Sequence, residues 1–285
     1  MKIAVIAKNA NNLDKYIEKG CNTFIFGLKD YSINYGEISF EEIEDLLNKY
    51  KNIELFIAVN KTIFNSELNN LEEELKRLDT IPIKGVLFYD LSILSLYRKH
   101  KFNYSLVWHQ THMVTNYNTV NYYYERGAKY AYLAGEITAS EMLEIKKNTE
   151  SKLFCTLIGY PIMAHSRRKL LTNYYESQHK SYDGSNILIK EKDKSYIVNE
   201  TKDGTCILDN EIVNGTYYID QLIELDYGVI NGLYMSDELL IKLIGLLQDV
   251  LVNNSKSSID DIKQLIGNNT GFFNRKTIFK VKKDE

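Results

Sequence analysis

Eight short apolar runs recur along this chain, and most are separated by stretches of helical periodicity. That alternation limits the fold more than any other feature. The runs are Ile3–Ala7, Thr23–Gly27, Leu55–Val59, Gly85–Tyr89, Ser105–Trp108, Tyr130–Ala134, Leu153–Ile158 and Tyr227–Met235. They are near-continuously apolar rather than alternating, the pattern of parallel strands covered on both faces. Helices are expected over 13–18, 91–100, 119–126 and 238–252. Another, over 67–78, sets Leu68, Leu71, Leu75 and Leu78 on one face. Two more start at the capping boxes Ser39–Glu42 and Thr138–Glu141.

Eight strand–helix units in 285 residues fit an α/β fold of the (β/α)8 TIM-barrel type. The alternative is an open doubly wound sheet. Periodicity leaves open whether the eighth strand closes the ring. Neither GxGxxG nor GxxxxGK[ST] occurs, which weighs against nucleotide-binding sheets. The gap between the seventh and eighth runs is far longer than the others. It holds three β-like pieces, 187–190, 195–198 and 205–208, with turn residues such as Asp203-Gly204 between them. We read residues 182–215 as a small antiparallel insertion over the barrel mouth, within a single domain spanning 1–285. The tail, 277–282, alternates like one more edge strand.

A net charge of −3 gives no global basic field, so any nucleic-acid contact needs a local patch. Cys21, Cys155 and Cys206 are odd in number and widely spaced, which suits neither a disulfide framework nor a zinc site. No apolar stretch is long enough to span a membrane, and the apolar run at the N-terminus is too short for a signal peptide. The expected location is cytoplasmic.

In a barrel the carboxyl ends of the strands share one face. Here those positions are Lys8, Asn60, Lys61, Asp90, His109, Glu136, His165 and Arg167. Together they suit a carboxylate or phosphate ligand. Glu136 and His165 are the candidates for acid–base catalysis. Lys61, His109, Arg167 and Arg168 are the candidates for anion or substrate binding. Each taken singly has a plainer reading, since strand ends are polar wherever the chain leaves the core. Glu136 also suits the start of the helix capped by Thr138. His109 and His112, three apart with no local carboxylate, read as structural histidines, and no metal site is expected. His165 and Ser166 point apart on an extended segment, which argues against a nucleophile–base pair. Arg167-Arg168-Lys169, at a strand-to-helix turn, can grip an anion at the helix N-terminus. The alternative is a solvated basic turn. Tyr122-Tyr123-Tyr124 and Tyr174-Tyr175 serve helix packing or base stacking.

The segment Gly159-Tyr160-Pro161-Ile162-Met163-Ala164-His165-Ser166-Arg167-Arg168-Lys169 resembles the signature of the collagenase-like peptidase (U-32) family, roughly G-x-x-C-x-A-Y-S-G-x-C after an apolar strand. Gly159, Ala164 and Ser166 match, and His165 stands at the usual tyrosine. Val114-Thr115-Asn116, Gly135 to Thr138, Asp203-Gly204-Thr205 and Thr270-Gly271-Phe272-Phe273 extend the resemblance over nearly the whole chain. It looks most like the short, cysteine-poor branch of the family. The resemblance implies a barrel and, from the family's name, proteolysis. It also implies RNA chemistry, notably prephenate-dependent hydroxylation of tRNA uridine. Members with the full cysteine set bind an iron–sulfur cluster. Ile162 and Lys169 replace two of those cysteines, so no cluster is expected here. The expected role is a component of tRNA modification or an accessory subunit of it. Prephenate is then a candidate substrate, and tRNA and a longer relative are candidate partners. A collagenase-like endopeptidase is the alternative, although no protease constellation is visible.

Overall fold

The structure, a computed structural model, describes residues 1–192 and 194–275. The strands in chain order are β1 (Lys2–Ile6), β2 (Thr23–Leu28), β3 (Glu37–Ile38), β4 (Glu54–Val59), β5 (Gly85–Phe88), β6 (Ser105–Trp108), β7 (Tyr130–Tyr132), β8 (Lys152–Gly159), β9 (Ile162–Ser166), β10 (Ile187–Glu191), β11 (Lys194–Thr201), β12 (Gly204–Asp209), β13 (Val213–Asn214) and β14 (Tyr227–Asn231). The helices are α1 (Leu13–Glu18), α2 (Phe40–Lys49), α3 (Leu68–Asp79), α4 (Leu91–His100), α5 (Tyr117–Tyr124), α6 (Ala139–Lys147), α7 (Leu170–Ser177), α8 (Ile219–Leu222), α9 (Asp237–Asn253) and α10 (Lys256–Ile266).

Strands β1, β2, β4, β5, β6, β7, β8 and β14 pair in parallel, each with the next. β14 then pairs with β1, from Lys2 opposite Tyr227 to Ile6 opposite Asn231. The ring is therefore closed, and the open doubly wound sheet is excluded. Alternate side chains separate two cores. Ile3 and Val5 of β1 face the helices, while Ala4 and Ile6 line the interior with Phe56, Ala58, Tyr130, Phe154 and Tyr227. Phe154 and Tyr227 stack at 4.2 Å, and Phe56 meets Tyr130, Phe154 and Tyr227 edge-on at 5.2–5.9 Å. This aromatic layer fills the barrel toward its amino-terminal end, where Tyr130 and Tyr227 begin their strands.

Both capping boxes form, with Ser39 Oγ accepting from the Glu42 amide and Thr138 Oγ1 from that of Glu141. The eighth strand ends at Asn231, earlier than its apolar run, because the next residues turn, the Met235 amide donating to Gly232. Helix α10, packed on α9, has no counterpart in the sequence reading. The expected tail strand, 277–282, lies outside the described residues. The antiparallel sheet forms in the order β10-β11-β12-β9. It includes Ile162–Ser166, which the sequence reading did not count among its strands, although it took His165 and Ser166 as extended. That stretch instead pairs along β12, Thr205 facing Ser166 and Ile207 facing Ala164.

At the amino-terminal end of the barrel, Glu54 accepts hydrogen bonds from Lys2 Nζ (3.0 Å), Thr23 Oγ1 (3.2 Å) and Tyr227 Oη (3.0 Å), and Lys84 Nζ lies 3.5 Å away. Burial alone would raise its pKa. The hydrogen bonds from Lys2 and Tyr227 and the fields of Lys2 and Lys84 outweigh that, so the net shift is downward. A carboxyl with a depressed folded-state pKa stabilises the fold above its unfolded pKa, and that contribution is lost as pH falls through the folded value. Glu54→Gln should therefore cost about 1–2 kcal/mol near pH 7. The difference from wild type should shrink as pH falls below roughly 4.3, the ordinary glutamate value, in denaturant titrations at several pH values.

Candidate functional site

Above the aromatic layer the barrel mouth turns polar. His109, the residue after β6, stacks on Tyr132 of β7 at 4.5 Å, and its Nδ1 lies 3.3 Å from Tyr35 Oη. Tyr132 Oη lies 2.8 Å from Thr156 Oγ1 of β8. Tyr35 comes from the loop between β2 and β3 and is drawn over the mouth by its neighbour Gly36. There a Cβ would collide with the carbonyls of Ala7 and Lys8 at the end of β1, so only glycine lets the loop lie that close.

Burial pushes the phenols of Tyr35 and Tyr132 up, so both stay protonated. Burial pushes the His109 imidazole down to about 4, so it is neutral at pH 7. With its hydrogen on Nε2, His109 accepts from Tyr35; the other tautomer would donate to it. The mouth floor is thus a set of neutral donors and acceptors between aromatic faces, suited to a small planar polar ligand.

The antiparallel sheet hangs over this floor as a flap, lashed to the rim at its β11–β12 turn. Lys202 Nζ sits 2.8 Å from Asp30, on the loop after β2, and 3.1 Å from Glu37, the first residue of β3. Asp203 lies 3.5 Å from Lys61 Nζ, beyond the end of β4, with both side chains only about 15% exposed. Arg167 donates to the Thr62 carbonyl at 3.2 Å and lays its guanidinium 4.6 Å from the centre of the Phe64 ring. Gly204, at φ +130°, continues the turn, and any Cβ there would strike the Ser166 carbonyl.

The residues singled out from sequence therefore fall into groups. Lys61 and Arg167 come together on the β4 side, as fasteners of the flap. His109 belongs to the mouth floor. His165, on β9, stands opposite Cys206 of β12; burial and then the Arg167 charge lower its pKa, against the field of Asp203. Glu136, half exposed, pairs with His112 Nδ1 at 3.0 Å on the β6–β7 side of the rim. Asn60 anchors the loop after β2, its Oδ1 taking hydrogen bonds from Ser32 and Ile33, and Asp90 caps α4. Lys8 and Arg168 are exposed.

The start of α7 is occupied. Glu200 accepts from the Leu171 and Thr172 amides and from the hydroxyls of Thr172 and Thr205. An anion at the Arg167–Lys169 turn would thus meet side chains, not the helix N-terminus as the sequence suggested.

Tyr35, Tyr132, Thr156, Cys206, Asn34 and Tyr234 carry no sequence signal that singles them out. The last three meet where the flap covers the mouth. Tyr234 Oη lies 3.4 Å from Asn34, and both bond the Cys206 thiol. Those bonds only partly offset burial, and the thiol is pushed up to about 11. Cys206 therefore holds its proton at neutral pH, and the His165–Cys206 pair is no thiolate nucleophile. Among the described residues no three His, Cys, Asp or Glu side chains gather as metal ligands.

A closed ring of eight parallel strand–helix units, with a polar mouth under a β flap, places the protein in the class of (β/α)8 barrels. The chain belongs to peptidase family U32, whose family model matches residues 8–276. It is 30% identical over 221 residues to tRNA hydroxylation protein P2 of Bacillus subtilis (strain 168), covering 73% of this chain and 70% of that protein. It is 25% identical over 182 residues to tRNA hydroxylation protein P1 of the same strain, covering 61% of this chain and 43% of P1. Among solved structures it is similar to an enolase-superfamily member from Listeria innocua, at TM-score 0.40 and 10% identity over 75% of this chain and 58% of that one. It is also similar to a monomeric form of phosphoribosylanthranilate isomerase from Thermotoga maritima, at TM-score 0.38 and 10% identity over 87% and 98%.

Two outcomes follow from this geometry. A neutral buried imidazole lets the unfolded chain bind a proton that the fold refuses, so stability rises with pH between about 4 and the unfolded value near 6.5. Allowing for the ring's partial exposure, His109→Asn should remove on the order of 1–2 kcal/mol of that dependence, read from urea midpoints at pH 4.5 and 7. Lys202→Ala should unfasten the flap, raising hydrogen exchange in β11 and β12 several-fold while leaving the barrel strands unchanged.

Proposed function

We propose that this protein is a component of tRNA modification, acting in a hydroxylation of the kind for which its two relatives are named. The observation that carries the reading is the 30% identity to tRNA hydroxylation protein P2 across 221 residues. The mouth supports it. Its aromatic and hydroxyl lining, with a neutral imidazole, suits a planar nucleobase or a small ring-bearing co-substrate. Prephenate, which the family resemblance implies, is the co-substrate we propose.

The proposal involves no iron–sulfur cluster in this chain. Cys21, Cys155 and Cys206 are each buried in separate places, and Ile162 and Lys169 stand at two of the family's cysteine positions. A second, longer family member is the proposed partner, a reading supported by the two relatives of one strain that are named as tRNA hydroxylation proteins P1 and P2. The proposed location is cytoplasmic; among the described residues no helix is long and apolar enough to cross a membrane. Peptide hydrolysis fits the mouth less well, because its one cysteine–histidine pair lacks a thiolate.

Deleting the gene in its host should remove hydroxylated uridine from tRNA, read by mass spectrometry of nucleosides. The wild-type gene should restore it, and His109→Ala should restore at most a tenth. Unchanged tRNA in the deleted strain, or cleavage of gelatin by the pure protein, would overturn the proposal.

A further inference from the structure

We infer that the outer face of α7, with the basic residues at its two ends, is an RNA-binding surface. There the flap would take the sugar–phosphate backbone and stack a base beside the barrel mouth. The inference rests on the tRNA reading above and names the surface which that reading leaves unassigned.

The charge is uneven. From Ile162 to Lys180 there are four Lys and Arg residues (Arg167, Arg168, Lys169 and Lys180) and one acid, Glu176, a local excess of +3 in a chain of net −3. Arg167 is spent on Thr62 and Phe64. Arg168, Lys169 and Lys180 are exposed, and none of them forms an ion pair among the described residues. Exposed lysines without an ion pair among the described residues also occur elsewhere, Lys8, Lys29 and Lys129 among them; what marks this face is three such cations with a single acid within one short segment. Unneutralised cations held on a rigid element are what a polyanion needs, since each phosphate contact releases a condensed counterion.

The fold holds these cations in place. Glu200 pins the start of α7 and takes the Thr205 hydroxyl proton, while Thr205 Oγ1 accepts from the Leu170 amide at 2.9 Å. At the other end His179 adopts φ +55°, and the Lys180 amide returns to the Tyr175 carbonyl at 2.9 Å, a turn that stops the helix and fixes the exit of the chain. The eight residues between span roughly 12 Å, about three to four nucleotides at the 3.4 Å rise of one strand.

Between the cations lies an uncovered stripe, Leu170, Asn173, Tyr174 and Ser177, at the spacing of one helix face. Tyr174 is 62% exposed and Leu170 43%. Tyr175, on the packed side, meets Tyr174 edge-on at 5.7 Å and Tyr182 at 5.6 Å, buttressing the Tyr174 ring. A supported, outward-facing aromatic flanked by free cations is the arrangement that binds single-stranded RNA by stacking and phosphate contact together. An acidic protein partner would use the cations and leave the ring without a role.

The test measures binding of total tRNA by the full chain, by fluorescence anisotropy from 25 to 300 mM salt. Poly-glutamate is the competing polyanion. The triple variant Arg168→Ala, Lys169→Ala, Lys180→Ala should lose at least tenfold in affinity at low salt, and its log K–log salt slope should be shallower by about two to three. Tyr174→Ala should lose roughly tenfold with the slope unchanged. Lys49→Ala with Lys99→Ala, remote paired lysines, should match wild type. All of these positions are on the surface, and unchanged circular-dichroism melts would show that the variants fold. Tight wild-type binding that survives in the triple variant would overturn this inference and leave the tRNA reading standing. Poly-glutamate bound as tightly as tRNA would point to an acidic protein and overturn it. A wild-type chain that binds no tRNA would overturn both.

Discussion

The barrel interior has room for only a few large side chains, and four aromatic rings fill one layer of it. Phe56, Tyr130, Phe154 and Tyr227 come from four different strands and meet in one layer, while Ala4 and Ala58 leave space beside them. Below this layer Glu54 gathers Lys2, Lys84, Thr23 and Tyr227 into a polar stopper. These two layers fill the amino-terminal part of the barrel and leave the polar groups of the mouth at the carboxyl ends of the strands. The polarity of that end follows. His109 and Tyr132 occupy the last interior positions, where apolar packing gives out and hydrogen bonds must be found among neighbours.

The flap is a different kind of structure. It has little core of its own, and its outer strand, β10, is largely exposed. Its attachment to the barrel relies on polar fasteners: Lys202 on Asp30 and Glu37, Asp203 on Lys61, and Arg167 on Thr62. Such contacts are individually weak and fall within reach of salt and competing anions. The barrel is held by burial, and charge fastens the turn of its cover to the rim. The same division explains why Lys61 and Arg167, cationic as they are, have partners within the chain, while Arg168 and Lys169 point into solvent.

Much of the barrel was legible because its determinants are local. A parallel strand covered on both faces must be apolar almost throughout, so eight runs announce eight strands. A capping box is a contact between residues three apart, so Ser39–Glu42 and Thr138–Glu141 can be read as letters. β9 was not legible in this way. Met163, Ala164 and His165 are exposed and mixed in polarity, and only their pairing with β12, some 40 residues on, makes them a strand. Tyr35 was missed because it belongs to a loop and enters the mouth only through the close approach at Gly36. The occupied start of α7 was missed because Glu200 lies about 30 residues beyond it.

By itself, then, the sequence determined the alternation of eight strands with helices, since hydrophobic periodicity and capping act between near neighbours; closure of the ring came from the pairing of β14 with β1. Only the tertiary structure decided which polar groups meet: Arg167 with Thr62, Lys202 with Asp30, His165 with Cys206, Glu200 with α7. Those partners lie from about 30 to 172 positions apart in the chain. The charge and hydrogen-bond energies that join them depend on distance in space, which the order of residues does not record.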